Sequence, residues 1–348
     1  MITLCVAPVF YRILSMPVPE NLEIKQLDLE LNGSCNLKCE MCPQAHGRER
    51  EFLSKLPTEV FEKIVTDALQ YGVQSVSLHG SGEPTLNRDM PERIRFIKEK
   101  GLKCVSFTNG VKLDEQLARE IIDAGLDVLR ISAVGHDREA YQKWMSKDCY
   151  LEVRDNIKRF VELNKEMGGR TEVHMYHLAS DYANRDAEAA AYQQNWVAYT
   201  GAYAEIWLMH NWSGDQDIPY ARQQITGATQ RRTCGRPFSP LLQVRAGGLD
   251  GHHGAVVACC MVLGKDSQGV LGHLDDQSIA EVVGGDAYNA LRAAHREGRF
   301  DDIPYCANCD QLYDLPESLV WTNIPGRKYG ESKVAAGVDH RTYGEKPA

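Results

Sequence analysis

Residues 32–43 read Asn-Gly-Ser-Cys-Asn-Leu-Lys-Cys-Glu-Met-Cys-Pro and place Cys35, Cys39 and Cys42 within eight residues, as Cys-x3-Cys-x2-Cys. Just upstream, Leu27, Leu29 and Leu31 alternate with Gln26, Asp28 and Glu30, the period of a β-strand. The Asn32-Gly33 pair ends that strand, and Pro43 keeps a helix from running on past the last cysteine. The three thiols therefore belong to a loop at the C-terminal end of a first strand, where side chains and amides can wrap a compact object. Their spacing also fits one face of a helix with cysteine as a core residue. Gly33 and Pro43 oppose that helix, and Lys38 and Glu40 interleave the thiols. Three thiols are too few for a closed structural zinc site, and they suit an iron–sulfur cluster that keeps one iron open.

Cys35-Asn-Leu-Lys-Cys39-Glu-Met-Cys42 resembles the signature of radical S-adenosylmethionine (SAM) enzymes. The resemblance implies a 4Fe–4S cluster on these three thiolates, with SAM chelating the fourth iron. It also implies a 5′-deoxyadenosyl radical that abstracts hydrogen from substrate, and a flavodoxin- or ferredoxin-type electron donor. The residue before the last cysteine lies near the adenine in that family and is often aromatic; here it is Met41.

Working outward, strand and helix alternate. Strands are predicted at 26–31, 74–79, 103–107, 127–131, 172–177 and 204–209. Helices are predicted from a cap at Thr58 to near Gly72, and at 89–100, 115–124, 138–145, 151–167 and 186–199. Repeated β-α units imply an α/β fold of parallel strands with right-handed crossovers. Six such units, in a chain resembling this family, imply a partial (β/α)6 TIM-like barrel. Its functional loops gather at the C-terminal ends of the strands. His79-Gly-Ser-Gly-Glu-Pro84 follows the second strand, and the resemblance assigns Gly82, Glu83 and Pro84 to the methionine amino group of SAM. It likewise assigns Asn109, within Thr108-Asn-Gly110, and Ser132 to positions near the cofactor's ribose and carboxylate. His210-Asn-Trp-Ser-Gly214 ends the sixth strand, and His210, Asn211 and Trp212 are candidate substrate residues at the barrel mouth.

Past Gly214 the rhythm changes. Strands 241–245 and 255–260 flank a Gly-rich turn and read as a hairpin, followed by a helix over 278–297. Cys306-x2-Cys309 alone is a weak signal; with Cys234 and the Cys259–Cys260 pair it makes four or five thiols around that hairpin. This resembles the twitch domain, a short relative of the SPASM domain, and implies one auxiliary 4Fe–4S cluster on Cys234, Cys259, Cys306 and Cys309. Zinc is the competing ion, because four thiolates suit it. Cys259 is chosen over Cys260 because the family's hairpin has a glycine five residues before its ligand, as Gly254 is here. Side chains alternate along a strand, which turns Cys260 to the opposite face. There it is either a small hydrophobe or a hydrogen donor to a substrate radical. Expected boundaries are a lead-in at 1–25, the barrel at 26–214, the auxiliary-cluster domain at 215–314 and a tail at 315–348, with Trp321 and Tyr329 as docking residues.

The 348 residues carry 39 Lys plus Arg against 48 Asp plus Glu, a formal charge of −9, with no basic run. That opposes a nucleic-acid partner, whose phosphates need neutralising. No apolar stretch approaches the ~20 residues of a membrane span, and no signal peptide is evident. A cytoplasmic location is expected, and eleven cysteines there mean metal or redox chemistry rather than disulfides. The substrate expected is a small polar molecule, a sugar, aminocyclitol or sugar-like metabolite, undergoing oxidation or epimerisation. Peptide modification, radical elimination or decarboxylation, and a plain electron carrier are the alternatives.

Overall fold

The computed structural model describes residues 23–46, 53–214, 231, 233–262, 269–313 and 319–326. Most of the expected lead-in, the polar stretch after residue 214, Cys5 and Tyr329 lie outside the described residues. The six expected strands are β1 (Gln26–Leu29), β2 (Ser75–Leu78), β3 (Lys103–Thr108), β4 (Val128–Ser132), β5 (Glu172–Ala179) and β6 (Tyr203–Leu208). Each pairs in parallel with the next. The chain returns through α1 (Thr58–Leu69), α2 (Met90–Glu99), α3 (Glu115–Asp123), α4 (Arg138–Met145), α5 (Tyr150–Glu166) and α6 (Arg185–Tyr192).

One face of the sheet presents Leu27, Leu29, Val76, Leu78, Leu129, Ile131, Met175 and Ile206 to the helices, which bury Phe61, Ile64, Ile94, Ile97, Ile157 and Phe160 in the same core. Burying each such side chain stabilises the fold by roughly 1.5–3 kcal/mol. Asp114 and Asp137 cap α3 and α4 by accepting from Leu117 N and Ala140 N. Thr58 was expected as a cap and is instead the first residue of α1, after an extended Pro57. Its hydroxyl accepts from Arg93 Nη2 at 2.9 Å.

Three features after residue 214 depart from the sequence reading. The first strand of the expected hairpin, β7 (Leu241–Val244), pairs in parallel with β1, so the barrel sheet gains a seventh parallel strand. β8 (Ala255–Val257) pairs antiparallel with β7, as the expected hairpin requires, and β9 (Val270–His273) pairs antiparallel with β8 in the same sheet. β8 stops at Val257, before the cysteine pair. The expected single helix is two, α7 (Ile279–Gly284) and α8 (Asp286–Arg296), because Gly285 takes an extended conformation between them. Within the expected tail, β10 (Leu319–Thr322) pairs antiparallel with β6, bringing Trp321 opposite Ile206. The strand order is β10-β6-β5-β4-β3-β2-β1-β7-β8-β9. β1 and β6 do not pair, so the barrel is open.

Candidate active site

The loop after β1 is stitched to the loop after β2. Asn32 Nδ2 donates to Glu83 O at 3.0 Å, Glu83 N donates to Ser34 O at 2.7 Å, and Ser34 N donates to Asn32 Oδ1 at 3.0 Å. A Cβ on Gly82 would collide with the Asn32 carbonyl, and one on Gly80 with the Glu30 carboxylate. These glycines permit close contact between the two loops. Glu83 is 3 % exposed. Its Oε1 accepts from Thr85 N, Thr85 Oγ1 and Thr108 Oγ1, and its Oε2 from Asn109 N at 2.7 Å. That leaves Oε2 room for one further donor. Burial raises the Glu83 pKa despite those bonds.

Asn109 Nδ2 lies 2.8 Å from Asn36 Oδ1 and 3.8 Å from Cys35 Sγ, tying β3 to the thiol loop. Met41 is buried in the main core, and Cys39 Sγ lies 3.9 Å from Met145 Sδ. Ser132 ends β4, partly exposed. Burial pushes Cys35 up to about 11 and raises Cys39 and Cys42, with the thiols repelling one another's charge. Such thiols stay protonated at neutral pH unless a cation takes the proton's place.

Cys234, Cys259, Cys306 and Cys309 come from three separate segments and line one small cavity, with Arg236 and His295 on its wall. Burial raises all four thiols, Cys259 to about 12. Cys260 lines the same cavity, against the expectation that it points away. With β8 ended at Val257, the pair sits in a bend and turn, where strand alternation no longer applies. Arg236 Nη2 lies 3.4 Å from Cys260 Sγ.

The family model described as Radical SAM superfamily matches residues 29–176, and that described as an iron–sulfur cluster-binding domain, SPASM, matches 251–310. The chain carries a radical SAM domain. A probable GTP 3′,8-cyclase of Methanococcus maripaludis is 32% identical over 159 residues, 46% of this chain and 51% of that protein. The Fe-coproporphyrin III synthase of Methanosarcina barkeri is 36% identical over 101 residues, 29% of this chain and 25% of that protein. The chain thus spans about half the length of the cyclases it matches. Among solved structures, BtrN in complex with AdoMet and 2-DOIA superposes with TM-score 0.55 at 17% identity, covering 82% of this chain and 92% of that one. SuiB of Streptococcus suis bound to precursor peptide SuiA gives 0.57 at 17%, covering 78% and 67%. Both show the fold.

The matching domains imply SAM and a 4Fe–4S cluster at the first site and auxiliary iron–sulfur at the second. The residues fit. Three thiols share one loop with no fourth among the described residues, Cys35 reaching the surface, and four more converge on a cavity.

The loop after β6 is docked on the loop carrying Cys306 and Cys309. Asn211 N donates to Asp310 Oδ2 at 2.7 Å, Asn211 Oδ1 accepts from Asp310 N at 3.1 Å, and Asn211 Nδ2 donates to Asn308 O at 2.7 Å. Asn211 spends its amide on this junction, which removes the ground for expecting it on a substrate. The His210 and Trp212 rings pack at a tilt of 59°, with centroids 4.5 Å apart. Trp212 and Ser213 hold positive φ, 48° and 64°, a strained backbone typical of functional loops. Burial, and then Arg236, lower the His210 pKa to about 4.

The sequence reading missed the inner face of the sheet. By register, Asp28, Ser77, His79, Phe107, Arg130, His174, Tyr176, Glu205, Gln243 and Arg245 all face the lumen. His79 Nε2 lies 3.6 Å from Asp28 Oδ2, Gln243 Nε2 donates to Asp28 Oδ2, and Arg130 Nη2 pairs with Glu205 Oε1. Arg130 also lies over the Phe107 ring, 5.3 Å from its centroid. Glu30 accepts from Ser81, Gly82 and Ala246 backbone N–H groups and lies 3.6 Å from Arg245 Nη1. Arg245 donates onward to Cys260 O and Val262 O, at 2.9 and 2.8 Å. One buried ion pair thus joins the loop after β2 to the auxiliary cysteine loop.

The signal was present in the sequence. Parallel strands covered on both faces read as continuous apolar runs, whereas these strands alternate with Asp28, His79, Arg130, Glu205 and Arg245. Among the described residues, no helix is long and apolar enough to cross a membrane.

Proposed function

We propose that this chain is a radical SAM oxidoreductase acting on a small polar substrate held in the barrel lumen. The observation that carries the reading is the chemistry of that lumen. A barrel interior is ordinarily packed with branched aliphatic side chains; this one has acids, guanidinium groups and imidazoles on its inner face. Such groups bind polar ligands and orient them. When bound, SAM and the iron–sulfur clusters supply hydrogen abstraction and one-electron chemistry. The chain's own part is to hold the substrate carbon near Cys35, Cys39 and Cys42, to exclude water, and to hold SAM with Gly82, Glu83, Pro84, Asn109 and Ser132.

Oxidation is favoured over epimerisation by the position of Cys260. Its sulfur lies against Arg236 on the wall of the auxiliary cavity, which suits an environment for that site better than a donor facing the substrate. The structural neighbours include one protein solved with 2-DOIA and one with a precursor peptide, so the shared fold does not choose between these ligands. The charged lumen supports the small polar molecule.

The test is turnover of cluster-loaded protein with candidate polyols in deuterated water. A product lighter by two hydrogens, carrying no solvent deuterium and formed equally by Cys260→Ala, is the expected result. An isomeric product with one deuterium, lost in Cys260→Ala, would restore epimerisation. SAM cleavage stimulated only by peptides would overturn the reading.

A further inference from the structure

Buried polar groups are almost always hydrogen-bonded, and each exception asks for an explanation. Five such atoms without a partner among the described residues come from one short stretch, residues 205–213: Glu205 Oε2, Trp207 Nε1, His210 Nε2, Trp212 Nε1 and Ser213 Oγ. Glu205 and Trp207 are each 1% exposed, His210 is 3% and Ser213 is 7%. The first two are alternate residues of β6, on its lumen face. His210 and Trp212 follow at the strand's C-terminal end, on the side of the sheet where the thiol loop lies, and Ser213 next to them lines the auxiliary cavity.

The donor and acceptor roles follow from the contacts already made. His210 Nδ1 accepts from Trp212 N at 3.2 Å, so a neutral ring carries its proton on Nε2. The unpartnered set is then two indole N–H groups, one imidazole N–H and one hydroxyl, against a single carboxylate oxygen. Arg130 holds the other oxygen of that carboxylate, so its charge is already balanced. A ligand matching this set offers several acceptor oxygens and one O–H donor, and it has no net charge. A phosphate or carboxylate would meet Glu205 without a proton to give. An ammonium would place a further cation beside Arg130.

We infer that the end of β6 is the substrate subsite, with Glu205 and Trp207 as specificity residues for an uncharged polyhydroxylated ring. Glu205 accepts from one ring hydroxyl, and the Trp207, Trp212 and His210 N–H groups donate to its neighbours. This deepens the reading under Proposed function and rests on it.

The test uses protein carrying both clusters and SAM, with scyllo-inositol as probe and binding followed by saturation-transfer NMR. Wild-type protein is expected to bind it, and to bind neither cyclohexanol nor inositol hexakisphosphate. Glu205→Gln and Trp207→Phe should each weaken scyllo-inositol at least fivefold, with iron content and SAM affinity unchanged. The tryptophan variant keeps the ring's bulk and leaves the Arg130–Glu205 pair intact, so it reports even if Glu205→Gln folds poorly. Equal binding by wild type and both variants overturns the subsite and leaves the polyol reading standing. Tighter binding of the hexakisphosphate overturns the uncharged-ligand assignment. A wild-type protein that ignores scyllo-inositol while binding peptide overturns both readings.

Discussion

The two thiol sites are built in opposite ways. Cys35, Cys39 and Cys42 share one short loop, which hydrogen bonds through Asn32, Ser34 and Glu83 fix to its neighbour. Cys234, Cys259, Cys306 and Cys309 come from distant segments and meet only because β7 and β8 extend the sheet and α7 and α8 fold back over it. The first set is local and keeps a corner free; the second is nonlocal and has four thiols around one cavity. A site that must admit a ligand benefits from a loop with room on one side, and a site that only holds a group benefits from closure.

Removing each set in turn gives the largest contrast. Cys35, Cys39 and Cys42 changed together to Ala should halve an iron content of about eight per chain and abolish 5′-deoxyadenosine formation. Changing Cys234, Cys259, Cys306 and Cys309 should also halve the iron, yet leave some SAM cleavage. Iron assay and product chromatography on anaerobically prepared protein measure both. Equal loss of cleavage in the two would erase the distinction.

The next effect tests the stitching. Gly82→Ala drives a methyl group into the Asn32 carbonyl, so the first loop must shift, and SAM binding should be lost while the auxiliary iron remains. Cys260→Ala, beside a ligand of the closed site, should leave both iron contents unchanged. If Cys260→Ala removes auxiliary iron, Cys260 belongs among the ligands.

Glu83→Gln is milder. It weakens charge-assisted hydrogen bonds, worth ~1.5–3 kcal/mol where an ionised partner is involved, and should lower SAM affinity roughly tenfold. Calorimetric titration measures it. An unchanged affinity would make Glu83 a brace for Thr85, Thr108 and Asn109 only.

The smallest effect is on pH dependence at His210. Its folded pKa, lowered to about 4 by burial, lies below the ordinary ~6.5. The unfolded chain therefore binds a proton first, and this contribution to stability, full above pH ~6.5, fades as pH falls toward 4. Melting temperatures between pH 7 and 5 should drop less in His210→Gln than in wild type. An identical slope would mean that His210 does not titrate this way.

The first site was legible because its spacing, its strand and its stopping proline all lie within twenty residues. The six strands were legible from their periods, and α4 from Arg138 onward. The second site was legible as residue types, but Cys260 was misplaced because a strand end three residues early changes which way every later side chain points. The polar lumen was missed although its residues were visible. Asp28 and Glu30 were read only as the polar half of an alternating strand, and nothing in that period says that the topology encloses their side. The role of Asn211 as a junction was not legible, since its partners Asn308 and Asp310 lie almost a hundred residues away.

The pairing of β7 with β1 has a consequence for anyone dividing this protein. A fragment ending at Gly214 would keep every residue of the first thiol motif and all six strands of the barrel. It would also expose the bare edge of β1, with unpaired N–H and C=O groups ready to template another chain. Glu30, 1% exposed in the whole chain, would lose both Arg245 and the Ala246 amide. The fragment should therefore aggregate or bind iron poorly while its sequence motif is untouched. Adding residues up to Leu274 would cover that edge again, so the barrel sheet depends on strands from what looks, in sequence, like the protein's second half.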